Sequence, residues 1–441
     1  MAAVSRRWCA AIGLIACGCA REAIDREALL DPATCAGCHP DAYREWAASS
    51  HAYASDDPVF RAIVRRGQRE LDGGLGGFCV TCHAPVAFRE GATTDGLALD
   101  QVARGMQGVT CVACHQVEAV TADHDGAITL ATDGVMRGGF DGAAPNPAHG
   151  SARSAFVDGA AAESSAMCGA CHDVVTPAGV RVERTFAEWQ ASLFSRPPPL
   201  GVGCATCHMM GRDGAAASGA SMPARRVHDH TFPGIDQALG DWPDRALLRA
   251  KIARDLDPSV MAKLCTRPGG NGLAVDVTLD NLLAGHAWPS GVTHARRAWV
   301  ELVARKDGAI VYESGVFAPG EDPADSSDPD LWLMRQRLLD DAGAEVEMPW
   351  EAAQVDATLL GAAVTTDPQD PRYYHAVTRT YALPVADEVE MHLRVTAIGA
   401  GVFRELERTG DLAPGLATRV PIIDVAPAAR TWHAASGYGC Q

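Results

Sequence analysis

The chain has 441 residues, 47% of them apolar, which is enough for two or three domains with their own cores. Aromatic residues make up only 6%, so large side chains alone fill a core sparsely. A formal charge of −17 excludes nucleic acid as a partner and charge-driven binding to acidic membranes, and it leaves room for a basic protein partner.

The first segment, residues 1–22, predicts an export signal: a basic "SRRW" precedes the apolar "CAAIGLIA", a run too short to span a bilayer. "LIAC", residues 14–17, fits the pattern in which small residues precede a lipidated cysteine, so a membrane anchor is expected at Cys17. Ordinary cleavage near Ala20 is the alternative. No other segment is apolar for long enough to cross a membrane.

Residues 30–235 hold one pattern five times. "CAGCH", "CVTCH", "CVACH", "CGACH" and "CATCH" supply Cys35, Cys38 and His39; Cys79, Cys82 and His83; Cys111, Cys114 and His115; Cys168, Cys171 and His172; and Cys204, Cys207 and His208. Each places two thiols one helical turn apart with an imidazole directly after them. The thiols can add to the two vinyl groups of a porphyrin, and the histidine then reaches the iron from the proximal side. Zinc also uses C-x-x-C pairs but has no need of the following histidine, and structural disulfides explain the pattern less well. The spacing therefore predicts five covalently attached haems c, whose porphyrins form most of the core and account for the low aromatic content. Covalent attachment follows export of an unfolded chain, so Arg6 and Arg7 are not read as a signal for export of a folded protein.

Each such iron has a second axial position, and ten histidines remain to fill it. A second imidazole suits an iron to carrying electrons, while an open side suits it to binding a substrate. His51 ends "YREWAASSH", where Tyr43, Trp46 and Ser50 fall at helical spacing and predict one face lying on a haem. His149, in "PNPAHGSARSAF", is a second candidate, and His124, in the acidic turn "TADHDG", is expected to be solvated. "HDHTFPG" follows the fifth motif, where unpaired irons need imidazoles. At least one of His228 and His230 is expected on iron, His230 preferred, with Phe232 packing on the porphyrin.

The stretches "CAGCHPDAYREWAASSHA", "GFCVTCHAPV", "GVTCVACHQV", "MCGACHDV" with "ERTFAEWQAS", and "CATCHMM" with "HDHTFPG" resemble the multihaem c-type cytochromes related to the tetrahaem electron acceptor of hydroxylamine oxidoreductase. The resemblance covers roughly residues 33 to 235. It implies stacked haems with mostly bis-histidine ligation and an electron-transfer role, and by motif position it supports His51 as a distal ligand. Five motifs and a long C-terminal region depart from that relative, so its partner is not carried over. The family includes catalytic members, but the lysine that replaces one motif histidine in pentahaem nitrite reductase is absent here.

Residues 236–268 predict a helical connector, from the apolar spacing of "DWPDRALLRAKIARDLDPSVMAKLC". Residues 269–441 change to short alternating runs such as "LAVDVTLDN", "RAWVELVARKDG" and "VEMHLRVTAI", which predict a β-sandwich-like domain. "QRLLDDAGAEV" and "ATLLGAAVTTDPQDP" are expected as strands joined by loops. "NLLAGHAWPSGVTHARRAWVEL" resembles a segment found after the haem regions of similar cytochromes. Within it His286, in a Gly- and Pro-flanked turn, is a further candidate distal ligand, with Trp288 beside the porphyrin edge. Arg296 and Arg297 are read either as partners of haem propionates or as solvated strand residues. Cys265 and Cys440 bracket the domain and are expected to pair.

The whole is an α+β multidomain chain, with a mainly helical or irregular multihaem cytochrome c domain followed by the sandwich. The expected function is electron relay, periplasmic or at the cell surface, to redox partner proteins. The alternative is an oxidoreductase acting on a small nitrogen or sulfur compound at one open-sided haem.

Overall fold

The structure, a computed structural model, describes residues 24–142, 148–197, 201–219 and 222–441. The export segment and Cys17 lie outside them. Among the described residues no helix is long and apolar enough to cross a membrane.

Residues 24–235 form short helices and two-stranded ribbons rather than layers around an apolar core. The longest helix there, Pro58–Glu70, starts because Asp57 accepts a hydrogen bond from the Val59 amide (2.9 Å) and Pro58 sits in the first turn. It buries Phe60 and Val64 against Val80, Ala84 and Leu99. The helix expected to run into His51 instead breaks in two, Pro40–Ala48 and Ser50–Tyr53. Ser49 adopts an extended backbone and its hydroxyl caps the second piece at the Ala52 amide (3.2 Å), which re-aims His51.

The C-terminal region is a sandwich of two antiparallel sheets. One orders Val377–Leu383, Gly272–Asp280, Met261–Gly269 and Gly439–Cys440; the other is built around Arg297–Lys306 and Glu388–Thr396. Alternate residues point inward, so Val275, Val277 and Leu279 meet Val300, Leu302, Met391 and Leu393 in one core. The strand Met261–Gly269 falls inside the segment expected as a connector; the connector's helix itself is Arg245–Leu256. "QRLLDDAGAEV" does form strands, Gln336–Leu339 and Glu345–Val346, whereas "LLGAAVTTDPQDP" is largely irregular. A disulfide joins Cys265 to Cys440 and holds the C-terminus on its sheet, with the Gln441 amide bonded to the Leu264 carbonyl (2.8 Å).

One element was not expected, a helix at Ala400–Arg408. Its buried Val402, Phe403 and Leu406 pack with Val59 and Ala62 of the helix Pro58–Glu70, so a single apolar cluster bridges the two regions. Arg66, almost fully buried, bonds Glu70 on its own helix and Glu405 across the junction (both 2.7 Å). Gly67 is required at this crossing, since a Cβ there would stand 2.7 Å from Leu75 and 2.9 Å from Trp350.

Candidate functional site

Each C-x-x-C-H folds as one turn of helix. The backbone amides of His39, His83 and His172 bond the carbonyl of the first cysteine of their own motif at 2.8, 3.1 and 3.0 Å, and Cys111–His115 and Cys204–His208 are helices outright. That turn puts both thiols and the imidazole on one side.

All ten motif cysteines and all five motif histidines line one continuous cavity of about 1860 Å³. The histidine rings are oriented from behind. Nδ1 of His39 lies 2.6 Å from the Ala216 carbonyl, that of His115 2.6 Å from Arg137, that of His208 2.8 Å from Pro233 and that of His83 3.2 Å from Ala54. Nδ1 of His172 faces the Glu183 carboxylate at 3.6 Å. A proton held on Nδ1 leaves Nε2 as the free lone pair, the arrangement a metal-binding imidazole needs.

Four of these rings face a second imidazole across the cavity. Ring centroids are 6.4 Å apart for His39 and His149, 6.2 Å for His115 and His230, 6.4 Å for His208 and His286, and 6.1 Å for His172 and His51. Two metal–imidazole bonds of about 2 Å, plus roughly 1 Å from each nitrogen to its ring centre, set the centroids about 6 Å apart. The residues present therefore fit haem iron between paired imidazoles. The ring planes are 28°, 20° and 14° apart in the first three pairs and 58° in the pair of His172 and His51.

The second imidazoles are also fixed. Nδ1 of His149 lies 2.9 Å from the Gly150 carbonyl, that of His230 2.9 Å from His228, and that of His286 2.8 Å from Ala287. Burial pushes His51 down to about 3, and His230 and His286 to about 4, so all three are neutral, as ligation requires. Burial also lowers His83 and His115, whereas at His172 the Glu183 carboxylate outweighs burial and raises it.

His83 differs. Among the described residues no second imidazole stands opposite it; instead its ring stacks on Phe60, centroids 4.0 Å apart and planes 10° apart. His228 also lines the cavity but faces no motif histidine among the described residues. Its Nδ1 bonds the Met209 carbonyl (2.7 Å), and its ring lies where a Cβ on Gly159 would go. His124 is half-buried against Asp125 (2.9 Å). Phe232, in a left-handed backbone conformation, packs edge-on against the rings of His51 (4.5 Å) and His230 (5.8 Å). Asp229, between the two histidines, is buried and bound to Lys251 of the helix Arg245–Leu256.

The thiols give the order in which motifs meet. Cys35 lies beside Cys111, Cys82 beside Cys171 and Cys168 beside Cys204, near enough for each pair to shift one another's acidity. The first motif thus neighbours the third, and the fourth neighbours both the second and the fifth. Among these cysteines only Cys207 is exposed.

The solvated reading of Arg296 and Arg297 is overturned. Arg297 is 1% exposed and forms a buried pair with Asp322 (2.8 Å), which leaves it no reach into the cavity. Arg296 is 8% exposed and does line the cavity. Trp288 belongs chiefly to the sandwich core. His294, given no role from sequence, lines the cavity with Nδ1 buried.

The fold is that of a multihaem c-type cytochrome. Residues 34–116 match the family model described as cytochrome c554 and c-prime. The chain is also similar to the crystal structure of a penta-heme cytochrome c552 from Thermochromatium tepidum, at 20% identity and a TM-score of 0.63, over 91% of this chain and 98% of that one. No curated protein matches the chain.

Proposed function

We propose that this multihaem c-type cytochrome relays electrons through five covalently bound haems c. The observation that carries the reading is the set of four imidazole pairs, each at the separation one iron needs. Haem iron supplies one-electron transfer, because it changes oxidation state with little structural change. The chain does the rest. Cys35 and Cys38, Cys79 and Cys82, Cys111 and Cys114, Cys168 and Cys171, and Cys204 and Cys207 would hold the five groups, with His39, His83, His115, His172 and His208 as proximal ligands. His149, His51, His230 and His286 would close the second side of four of them and exclude water there.

With Cys35 beside Cys111, Cys82 beside Cys171 and Cys168 beside Cys204, the third haem would continue from the first and the fourth would be a hub for the second and fifth. A protein partner would exchange electrons at the haem held by Cys204 and Cys207, because Cys207 is the most exposed of the motif cysteines. Export to the periplasm or outer surface, with a lipid anchor at Cys17, fits the disulfide as well as the signal-like start. We further infer kinship with the tetrahaem acceptor of hydroxylamine oxidoreductase, on the motifs of residues 33–235.

The second reading, an oxidoreductase acting on a small nitrogen or sulfur compound, is favoured by one observation: His83 lacks a facing imidazole among the described residues. Protein-film voltammetry separates the two. A relay gives reversible waves that hydroxylamine, nitrite and sulfite leave unchanged. A catalytic current with any of them overturns the relay as the main function. Mass spectrometry of fully matured protein tests the count; fewer than five haem additions contradicts it.

A further inference from the structure

The five motif histidines do not share one kind of partner behind the ring. Four of them hold Nδ1 against a backbone carbonyl, that of Ala216, Ala54, Arg137 or Pro233. Among the described residues His172 alone turns Nδ1 to a side chain, the Glu183 carboxylate, at 3.6 Å. That is ion-pair range, longer than a hydrogen bond. Glu183 ends the strand Arg181–Glu183, and its register opposite Val174 places it beside the fourth motif. Its side chain is 10% exposed and lines the cavity. The charge is also uncancelled: His172 is its only ion-pair partner among the described residues. Arg181 reaches Asp173 (3.8 Å) and Arg296 reaches Asp236 (2.8 Å), while Arg184 is exposed. Asp255 near His208 and Glu45 near His230, both at 3.9 Å, differ in this respect. Each is paired with an arginine, Asp255 with Arg254 (2.6 Å) and Glu45 with Arg212 (3.4 Å).

We propose that Glu183, through its negative charge behind His172, gives the haem of the fourth motif the lowest reduction potential of the four with paired imidazoles. An anion beside an axial ligand favours the ferric form, which carries one more positive charge than the ferrous, and makes the imidazole a stronger donor. A buried carboxylate is screened less than one in water. Glu183 acts through His172 and is a positioning residue. The inference rests on the relay reading, in which the fourth haem neighbours the second and the fifth. A low potential there makes it a step that electrons cross, so that they rest on the haems to either side.

The test uses the full haem-loaded chain and begins by counting haems, so failure of the haem reading shows as a wrong count rather than as an absent shift. Electron paramagnetic resonance then follows the fourth haem by its own low-spin signal. The planes of His172 and His51 are 58° apart, whereas those of the other pairs are 28° apart or less. A chemical reductant supplies the one electron that converts ferric to ferrous iron. In the wild type this signal is expected to be the last of the low-spin set to disappear. Glu183→Gln keeps the shape of the side chain and removes its charge. The signal should then disappear at a higher potential, by about tenfold or more in the oxidised-to-reduced ratio, which is about 59 mV for a one-electron couple. The other low-spin signals should keep their order. If Glu183→Gln does not mature, Glu183→Ala, which removes the charge by truncation, is read in the same way. Two results overturn the proposal: a wild-type signal that is not the last to disappear, or an unchanged or lowered midpoint in a variant carrying the wild-type number of haems.

Discussion

His208 of the last motif and His286 of the sandwich face one another with ring centroids 6.4 Å apart and planes 14° apart. The β-region is thus part of the cavity wall and supplies one of its four facing imidazoles. His286→Ala is expected to remove one low-spin haem and add one high-spin haem without loss of covalent haem, because only an axial ligand is deleted. Electronic absorption of the oxidised variant measures this. A spectrum identical to wild type would mean that His286 only closes its own turn.

The junction is held by packing as well. Phe403 is fully buried where the helix Ala400–Arg408 meets Val59 and Ala62. Phe403→Ala should cost about 3–5 kcal/mol by loss of transfer energy and creation of a cavity. Denaturant titration followed by far-UV circular dichroism reads the loss. A cost under about 1 kcal/mol would mean that the junction is loosely packed.

Asp57 sets a pH dependence. Burial, with the Asp236 charge adding to it, pushes its carboxyl up to about 6. The folded value lies above the unfolded one of about 3.9, so the folded state holds the proton more tightly. Its contribution to stability is full below about pH 4 and is lost as pH rises through 6. Asp57→Asn keeps a side-chain acceptor for the Val59 amide and removes the charge. The variant should match wild type near pH 4 and exceed it by about 1–2 kcal/mol at pH 7. Equal stability at both pH values would contradict the burial argument.

What the sequence made legible was local chemistry. The five C-x-x-C-H motifs and the α+β division needed no tertiary information. His51, His149, His230 and His286 each stood out through a helix end or a Gly- and Pro-rich turn, and each now faces a motif histidine. Less legible was whatever depends on contacts far along the chain. The strand "MAKLCTRPG" carries Lys, Arg and Pro that obscure its alternation, and its partners are Gly272–Asp280 and the chain's last residues. The helix "AGVFRELER" is amphipathic, but it sits among strands, and its apolar face is answered by a helix some 340 residues away. His228 and His230 differ by two positions in one loop, and only the fold decides which one faces His115. His294 carries no local signal at all.

Four haems are expected to have paired imidazoles, and the one on Cys79 and Cys82 is expected to lack a second. Electron paramagnetic resonance of the fully oxidised, fully matured protein tests it most directly. One high-spin signal is expected for every four low-spin haems. Among the low-spin signals, the pair of His172 and His51, with planes 58° apart, is expected to stand out from the near-parallel others. Five low-spin haems with no high-spin component would contradict the unpaired reading of His83.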